Sequence, residues 1–426
     1  MLCFANRREV NLKVATLTSV YGEHAVGGAE RSTARMVASL IDLGHTVDVI
    51  SLGAPGSNVR RVQHSPLGST VDIPLTQFYD PYGLAATEVQ PTRSFIQRAA
   101  WHTLDIYNPW MTGQVTQQLA RLKPDVLFTH ALQGFSVGVW AAAKQLGIKV
   151  VHMIHDHALI CPGTAMTRGS DVCDQPCRDC QVFSIARRAI AASPDAIVAP
   201  SQMVIDRHRK FGWFKEVSNQ VVVANALPQD WPVKPKPKVW PGPSNPRPWV
   251  FGFLGRMDAS KGTDTLVRAA SGFTPKQCRV KLAGKGNMHE LLLDFQGNPD
   301  VLEFCGVVQA ASFLSEIDVL VTVSRAHETF CNVVMEAASL GVPSIVSDRG
   351  TLPERVLYGD AGWVIPAGDA SALSKAMTYC MQNPQVVALK AEVALKTRGD
   401  YSLKVQTEKI ENLLLQVLSA RASRGL

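Results

Sequence analysis

Apolar residues in this chain gather in short blocks, separated by longer stretches in which they return every three or four positions. The blocks predict buried strands and the intervening stretches predict amphipathic helices. Leu12 to Thr18 is the first block, Ala29 to Leu43 the first helix with Gly44 as its stop, and Thr46 to Leu52 the next strand. Strand, helix and strand at this spacing open a doubly wound parallel sheet. Residues 53–90, with scattered Gly, Pro and Ser, are expected to be loop-rich. Helices are then predicted over Thr92 to Tyr107, Trp110 to Leu122 and Val137 to Leu146. Strands are predicted at Asp125 to Thr129, Lys149 to Ile154, Ala196 to Ala199 and Gln220 to Ala224. Phe, Trp and Arg in the helix of residues 92–107 would suit either a core-packing face or a membrane surface.

Between Trp231 and Trp249 the text is too proline-rich for a helix or an interior strand and reads as a linker, residues 231–248. The pattern then restarts: strand Trp249 to Leu254, a helix from about Thr263, strand Arg279 to Ala283, a helix around His289 to Phe295 and a short strand at Val301 to Phe304. The apolar run Ile317 to Val323 leads into a helix ending near Gly341, followed by strand Ser344 to Val346. A terminal amphipathic helix, about residues 402–420, is expected to cross back onto the first half. The expected organisation is a first domain over 1–230 and a second over 249–401.

Composition narrows the class. The chain has 426 residues, 46% hydrophobic and 19% charged, which fits two globular domains. No apolar run approaches the length of a membrane span. Arg7, Arg8 and Glu9 stand where a signal peptide would need its apolar core, so a cytoplasmic protein is expected. The net charge of +7 is spread over both halves. Without a basic stripe carrying interleaved aromatics, nucleic acid is not an expected partner. Nine cysteines, an odd number, point to reduced thiols.

Five places carry candidate chemistry. Gly27 and Gly28 precede the first helix and would let backbone approach a ligand. His155, Asp156 and His157 end a predicted parallel strand, where ligands gather. Cys161, Cys173, Cys177 and Cys180 follow at once and could close a structural zinc or iron–sulfur site. In the second half Arg256 and Lys261 flank a strand-to-helix turn, where cations and free amides can neutralise a diphosphate. Glu328 and Glu336 lie on either side of a predicted helix start whose amides, around Phe330, Cys331, Asn332 and Val333, would be open to an anion.

Taken in this order, Gly27-Gly28-Ala29-Glu30, His155-Asp156, Gly255-Arg256 with Lys261-Gly262, Gly284-Lys285-Gly286, and Glu328 to Glu336 resemble glycosyltransferase family 4. The cysteine group after His155-Asp156 is similar to what some bacterial members carry. The resemblance implies the GT-B fold, an α/β architecture of two Rossmann-like parallel-sheet domains facing across a cleft. It also implies a retaining, metal-independent hexosyl transfer from a nucleotide-diphosphate sugar to a glycan or lipid-linked saccharide, with no cofactor required. Membership of this family further suggests cell-surface polysaccharide synthesis, with peripheral contact at the cytoplasmic face of the inner membrane.

By the same resemblance, Arg256 and Lys261 would hold the donor diphosphate, helped by the backbone at Gly27, Gly28 and Gly284 and by the amides of Phe330, Cys331, Asn332 and Val333. Glu336 would take the ribose, Glu328 would face the transferred sugar, and His155 and Asp156 would lie near the reacting carbon. Where the family often has glycine, this chain has Cys331. A nucleotide-sugar epimerase and a non-catalytic nucleotide-sugar or glycan-binding protein are the alternatives.

Overall fold

The computed structural model describes residues 11–22, 27–75, 84, 94–168, 171–232, 238–286, 295 and 297–422. Contacts divide the chain into two units: residues 1–164, 176–223 and 403–426 in the first, residues 165–175 and 224–402 in the second.

The first unit is built on an eight-stranded sheet. Its strands are β1 (Lys13–Leu17), β2 (Thr46–Gly53), β3 (Arg60–Ser65), β4 (Gly68–Pro74), β5 (Val126–Thr129), β6 (Lys149–Met153), β9 (Ala196–Ala199) and β10 (Gln220–Val222), in the order β10-β9-β6-β5-β1-β2-β4-β3. Pairings are parallel except β3 with β4. Helices α1 (Gly28–Asp42), α2 (Phe95–Ile106), α3 (Pro109–Leu122), α4 (Gly138–Gln145), α5 (Arg178–Ile190) and α6 (Gln202–Lys210) belong to this unit. The last helix, α13 (Leu403–Ala422), also packs here, setting Ile410, Leu413, Leu414 and Val417 at helical spacing into the core with Met36, Val37 and Leu40 of α1. Burying each of these four side chains contributes about 1.5–3 kcal/mol.

The second unit holds a six-stranded parallel sheet of β11 (Trp249–Leu254), β12 (Cys278–Ala283), β13 (Leu302–Gly306), β14 (Val319–Thr322), β15 (Ser344–Ser347) and β16 (Gly362–Ile365), ordered β13-β12-β11-β14-β15-β16. Its helices are α7 (Thr263–Ala270), α8 (Ala310–Glu316), α9 (Asn332–Ala338), α10 (Leu352–Arg355), α11 (Ala370–Gln382) and α12 (Pro384–Lys396). A small antiparallel pair, β7 (Thr167–Arg168) and β8 (Asp171–Val172), lies in the segment 165–175. Asp318 accepts two 2.8 Å bonds from the Arg247 guanidinium and one of 2.9 Å from the Val250 amide, tying the start of β11 to β14.

In both sheets the strand order reverses between the first strand and its later neighbour, β1/β5 in one and β11/β14 in the other. Ligands of doubly wound sheets bind outside the carboxyl ends of strands at such reversals.

Several details differ from the sequence expectation. Residues 53–90 contain the β3–β4 hairpin, whose outer strand Arg-Arg-Val-Gln-His-Ser is polar and mostly exposed because it forms the sheet edge. The helix after β14 is shorter than expected, ending at Ala338, with Gly341 at φ +68° in the following turn. Helices α11 and α12 and strand β16 occupy a stretch that the apolar pattern left unassigned. The helix expected around His289 to Phe295, the amino-terminal residues 1–10 and part of the proline-rich stretch lie outside the described residues.

Candidate active site

The first unit has a cavity of about 200 Å³ at its strand reversal. Thr18, Ser19 and Val20 line it from the end of β1, His130 and Ala131 from the end of β5, His155 and Asp156 from beyond β6, and Ala29, Glu30 and Thr33 from the start of α1. Parallel pairing of β1 with β5 and β5 with β6 brings these separate segments together.

The two titratable neighbours at its floor are displaced in opposite directions. Burial lowers His155 to about 4, so its imidazole is neutral at pH 7. Burial raises Asp156 to about 6, against its bond from the Ala158 amide at 2.7 Å and the influence of Gln133; the Glu30 carboxylate adds to the rise. His130 is buried and is also pushed well down, first by burial and then by His155 and His152.

Gly27 caps α1, and a Cβ there would come within 2.2 Å of Glu30 Oε2. The Glu30 carboxylate therefore fills the space at Gly27, the expected approach for a phosphate. Behind the cavity Arg187 donates to Asp105 at 2.7 Å and to the Ala158 carbonyl at 2.5 Å, while the Gly134 amide donates to Asp105 at 2.6 Å. Asp105 still rises to about 6, because burial outweighs the guanidinium.

In the second unit the corresponding reversal carries cations. Lys261 Nζ donates to Glu328 Oε1 at 2.6 Å, and Ser324 Oγ donates to the same oxygen at 3.0 Å. Burial opposes the charge on Lys261, but Glu328 prevails and holds its pKa above the ordinary value. Lys261 is fixed by a single 3-10 turn whose cap, Asp258, accepts from the Lys261 amide at 3.2 Å. Arg256 is 74% exposed and lies 3.6 Å from Asp258 Oδ2. The loops bearing these groups meet at glycine. A Cβ on Gly262 would meet the Val323 carbonyl at 2.1 Å, and one on Gly284 the Gly255 carbonyl at 1.8 Å. Glu328 is braced from behind by the Thr351 amide, which donates to its carbonyl at 3.0 Å. Beside it Asp174, from the segment 165–175, accepts from Arg349 at 2.7 Å and pairs with His327 at 3.1 Å.

The remaining candidates fall in different surroundings. The Phe330 side chain is buried, with the Arg355 guanidinium 4.6 Å over its ring, leaving only its backbone available to a ligand. Cys331 caps α9 at φ +63°, the left-handed region that favours glycine, and burial followed by Glu328 pushes its thiol up. Asn332 accepts from Asn225 at 2.9 Å, Val333 packs against the core beneath, and Glu336 lies half-buried within α9.

Three of the four predicted cysteines are brought together. Cys177 and Cys180 sulfurs are 3.4 Å apart, and Cys180 and Cys161 3.5 Å apart, as a chain of thiol contacts. Cys173 belongs to the segment that packs with the second unit. Among the described residues no group of three or more His, Cys, Asp or Glu side chains is disposed to hold a metal ion.

Sequence reasoning missed His130, Thr33, Ser324 and the Asp105–Arg187 pair. Only His130 left a signal, its place at a strand end.

A family model described as Glycosyltransferase Family 4 matches residues 26–231, and one described as Glycosyl transferases group 1 matches residues 248–383. The chain belongs to glycosyltransferase family 4. Among relatives of this family 4 protein, an uncharacterized 42.6 kDa protein of the cps region of Klebsiella pneumoniae is 24% identical over 348 residues, covering 80% of this chain and 87% of the relative. A GDP-mannose-dependent alpha-mannosyltransferase of Mycobacterium tuberculosis is 28% identical over 302 residues, 68% and 72% of the two chains. The fold is GT-B. Sucrose-phosphate synthase of Thermosynechococcus elongatus superposes with a TM-score of 0.70 at 17% identity, covering 96% of this chain and all of the other. Anabaena HepE in complex with UDP gives 0.66 at 15% identity, covering 95% and 100%.

Proposed function

We propose that this glycosyltransferase moves a hexosyl group, with retention, from a nucleotide-diphosphate sugar to a glycan or lipid-linked saccharide in cell-surface polysaccharide synthesis. The observation that carries the reading is the Lys261–Glu328 pair at the β11/β14 reversal, with Arg256 beside it. Fixed cations at that place stabilise a departing diphosphate without a metal. Glu328 would meet hydroxyls of the transferred sugar and Glu336 those of the ribose.

In the proposed step the bond from the anomeric carbon to phosphate oxygen breaks, a bond from that carbon to an acceptor oxygen forms on the same face, and the acceptor proton passes to the leaving phosphate. No pair of carboxylates flanking the bond is then needed, in contrast to a glycosidase. The first-unit cavity, with His155 and Asp156, would receive hydroxyl-bearing sugar. Relatives of the chain, among them mannosyltransferases and a capsular polysaccharide glycosyltransferase, support the substrate class.

Exposed Ile96 and Leu104 on α2, Tyr107 at its C-cap, and Val182 and Ile185 on α5, two helices in contact, would suit peripheral binding to an anionic membrane beside Arg178. Among the described residues no helix is long and apolar enough to cross a membrane.

Calorimetric titration with GDP, UDP and their sugar conjugates in EDTA tests the reading. Micromolar binding of one nucleotide, followed by transfer from its sugar conjugate to a saccharide acceptor, is the expected result. Donor turnover to an epimer without acceptor would favour the epimerase, and affinity without turnover a binding protein.

A further inference from the structure

We infer that Arg325 is a positioning residue of the second unit: its guanidinium, clasped by Asp264 of α7, holds the loop that carries Glu328 in register with the turn that carries Lys261. The geometry is internal to that unit; its consequence for transfer rests on the roles proposed above for Lys261 and Glu328.

The turn and the loop come from different places in the chain. Lys261 follows β11 and Glu328 follows β14, neighbouring strands of the sheet. The 2.6 Å bond between Lys261 and Glu328 joins their tips. Under the proposed function a diphosphate competes for Lys261, so this bond is not the one that fixes the spacing while substrate is bound.

Behind the tips the two segments are joined through backbone. The Ser260 carbonyl accepts from the amides of Arg325 at 2.8 Å and Ala326 at 3.1 Å, and Ser324 Oγ lies 3.0 Å from that carbonyl as well as from Glu328 Oε1. Gly262 lies against Val323, where a Cβ would stand 2.1 Å from the carbonyl oxygen. One carbonyl thus receives two consecutive amides, which requires residues 324–326 to keep their course past Ser260.

Arg325 keeps them on it. Its Nη2 donates to Asp264 Oδ2 and, at 3.2 Å, to Thr265 Oγ1, both in the first turn of α7, the helix that Lys261 and Gly262 lead into. Both members of the ion pair are partly buried, so water and salt screen it less than a surface pair. Arg268, one turn further along α7, donates to the same Asp264 oxygen at 2.8 Å. Two guanidiniums therefore share one carboxylate, and they are not equivalent. Arg268 ties α7 to itself, whereas Arg325 ties α7 to the Glu328 loop.

This sharing supplies the control. Without Arg325 the Asp264 charge is still met by Arg268, and without Arg268 it is still met by Arg325, so neither loss strands the carboxylate. Only the first releases the loop.

The experiment compares full-length wild type, Arg325→Met, Arg325→Lys and Arg268→Met by amide hydrogen exchange, by calorimetry with GDP and UDP, and by steady-state transfer. Arg325→Met should speed exchange at amides 325 and 326 about tenfold, with the amides of β11, β14 and β15 as in wild type. Its kcat should fall about tenfold through misplacement of Glu328. Its Kd for the nucleoside diphosphate should stay within twofold, because Lys261 is still seated by its own Asp258 cap. One nitrogen makes both Arg325 contacts, so a lysine ammonium can replace it, and Arg325→Lys should bring exchange and kcat back towards wild type. Arg268→Met should match wild type in all three measurements.

A folded Arg325→Met protein with exchange at 325 and 326 and kcat both within twofold of wild type would overturn the inference. Faster exchange throughout the unit, with kcat and nucleotide affinity falling together, would mark a merely structural arginine and overturn it too. So would an Arg268→Met protein that loses as much kcat as Arg325→Met. If Arg325→Met does not fold, Asp264→Asn removes the charge and keeps the shape, and unaltered exchange at 325 and 326 in that variant overturns the inference. If wild type transfers no sugar from any nucleotide, the transferase reading fails, while exchange at 325 and 326 still decides whether Arg325 holds the loop.

Discussion

Replacing Lys261 with alanine separates a phosphate-binding lysine from one that merely neutralises its neighbour. The pair is tight and partly enclosed, 2.6 Å between Nζ and Glu328 Oε1, with side-chain exposures of 28% and 15%. Lys261→Ala removes one charge-assisted contact to the diphosphate, worth about 1.5–3 kcal/mol. It also leaves Glu328, held by Ser324, facing an anion without its counter-charge. At an effective dielectric of about 20, two like charges a few ångströms apart repel by several kcal/mol before solvent screening, so the total loss should reach the upper end of that range. A loss of about 3 kcal/mol corresponds to roughly 100-fold in Kd.

Calorimetry with the free nucleoside diphosphate reads this directly, since Glu328 is assigned to the sugar and not to phosphate. Glu328→Gln should therefore bind the diphosphate as tightly as wild type or more so. The double variant should fall between the two single ones. If Lys261→Ala binds every nucleoside diphosphate within twofold of wild type, the lysine serves Glu328 alone and the phosphate assignment is refuted.

Arg256→Ala should cost less, about 1 kcal/mol or fivefold in Kd, because the side chain is largely in solvent; an equal loss to Lys261→Ala would show a closer contact. Arg187→Leu strands the buried Asp105 carboxylate and should destabilise the protein by about 3–5 kcal/mol in denaturant unfolding, with Asp105→Asn restoring part of it. Acid should destabilise the first unit as pH falls from about 6.5 towards 4. Burial holds His208 near 4 in the folded chain against 6.5 unfolded, so the unfolded chain binds more protons in that window, worth roughly 3 kcal/mol. His130, His152 and His155 act in the same direction, opposed by Asp105 and Asp156, which are raised to about 6; a melting temperature that rises between pH 7 and 5 would reverse the ranking. Cys331→Gly should stabilise by about 0.5–1 kcal/mol by relieving a left-handed residue, and a lower melting temperature would show that the thiol packs for more than the strain costs.

The two sheets were legible because a parallel strand buried on both faces is a continuous apolar run, as in Val-Leu-Phe-Thr of β5 or Val-Leu-Val-Thr of β14. The edge strand β3 was not, since nothing covers its outer side and its residues need only pair with β4. Helix α11 buries Leu373, Met377 and Cys380 among Ala, Ser and Thr, too thin a stripe to stand out from a loop. The same division holds for the sites. Lys261 and Glu328 announced themselves by position at strand-to-helix turns. His130 reads like any histidine, and its meaning depends on the β1-β5-β6 order that sets it against His155, a fact of topology and not of spacing.

The two reversals also differ in charge. The described residues lining the first-unit cavity include two carboxylates, Glu30 and Asp156, two neutral imidazoles and several hydroxyls, and neither lysine nor arginine. A diphosphate there would meet negative charge at Gly27, where the amide end of α1 would otherwise have welcomed it. A sugar hydroxyl would meet carboxylate and hydroxyl groups there. At the second-unit reversal the order of preference inverts, because Lys261 stays charged and Arg256 stands in solvent beside it. Under the proposed function, this difference in charge would favour the anion at the second unit and the polyol at the first. Glu30→Gln removes that negative charge and supplies an amide N–H donor beside Gly27, so calorimetry should show inorganic phosphate binding the first unit more tightly than in wild type, and unchanged binding would refute the argument from charge.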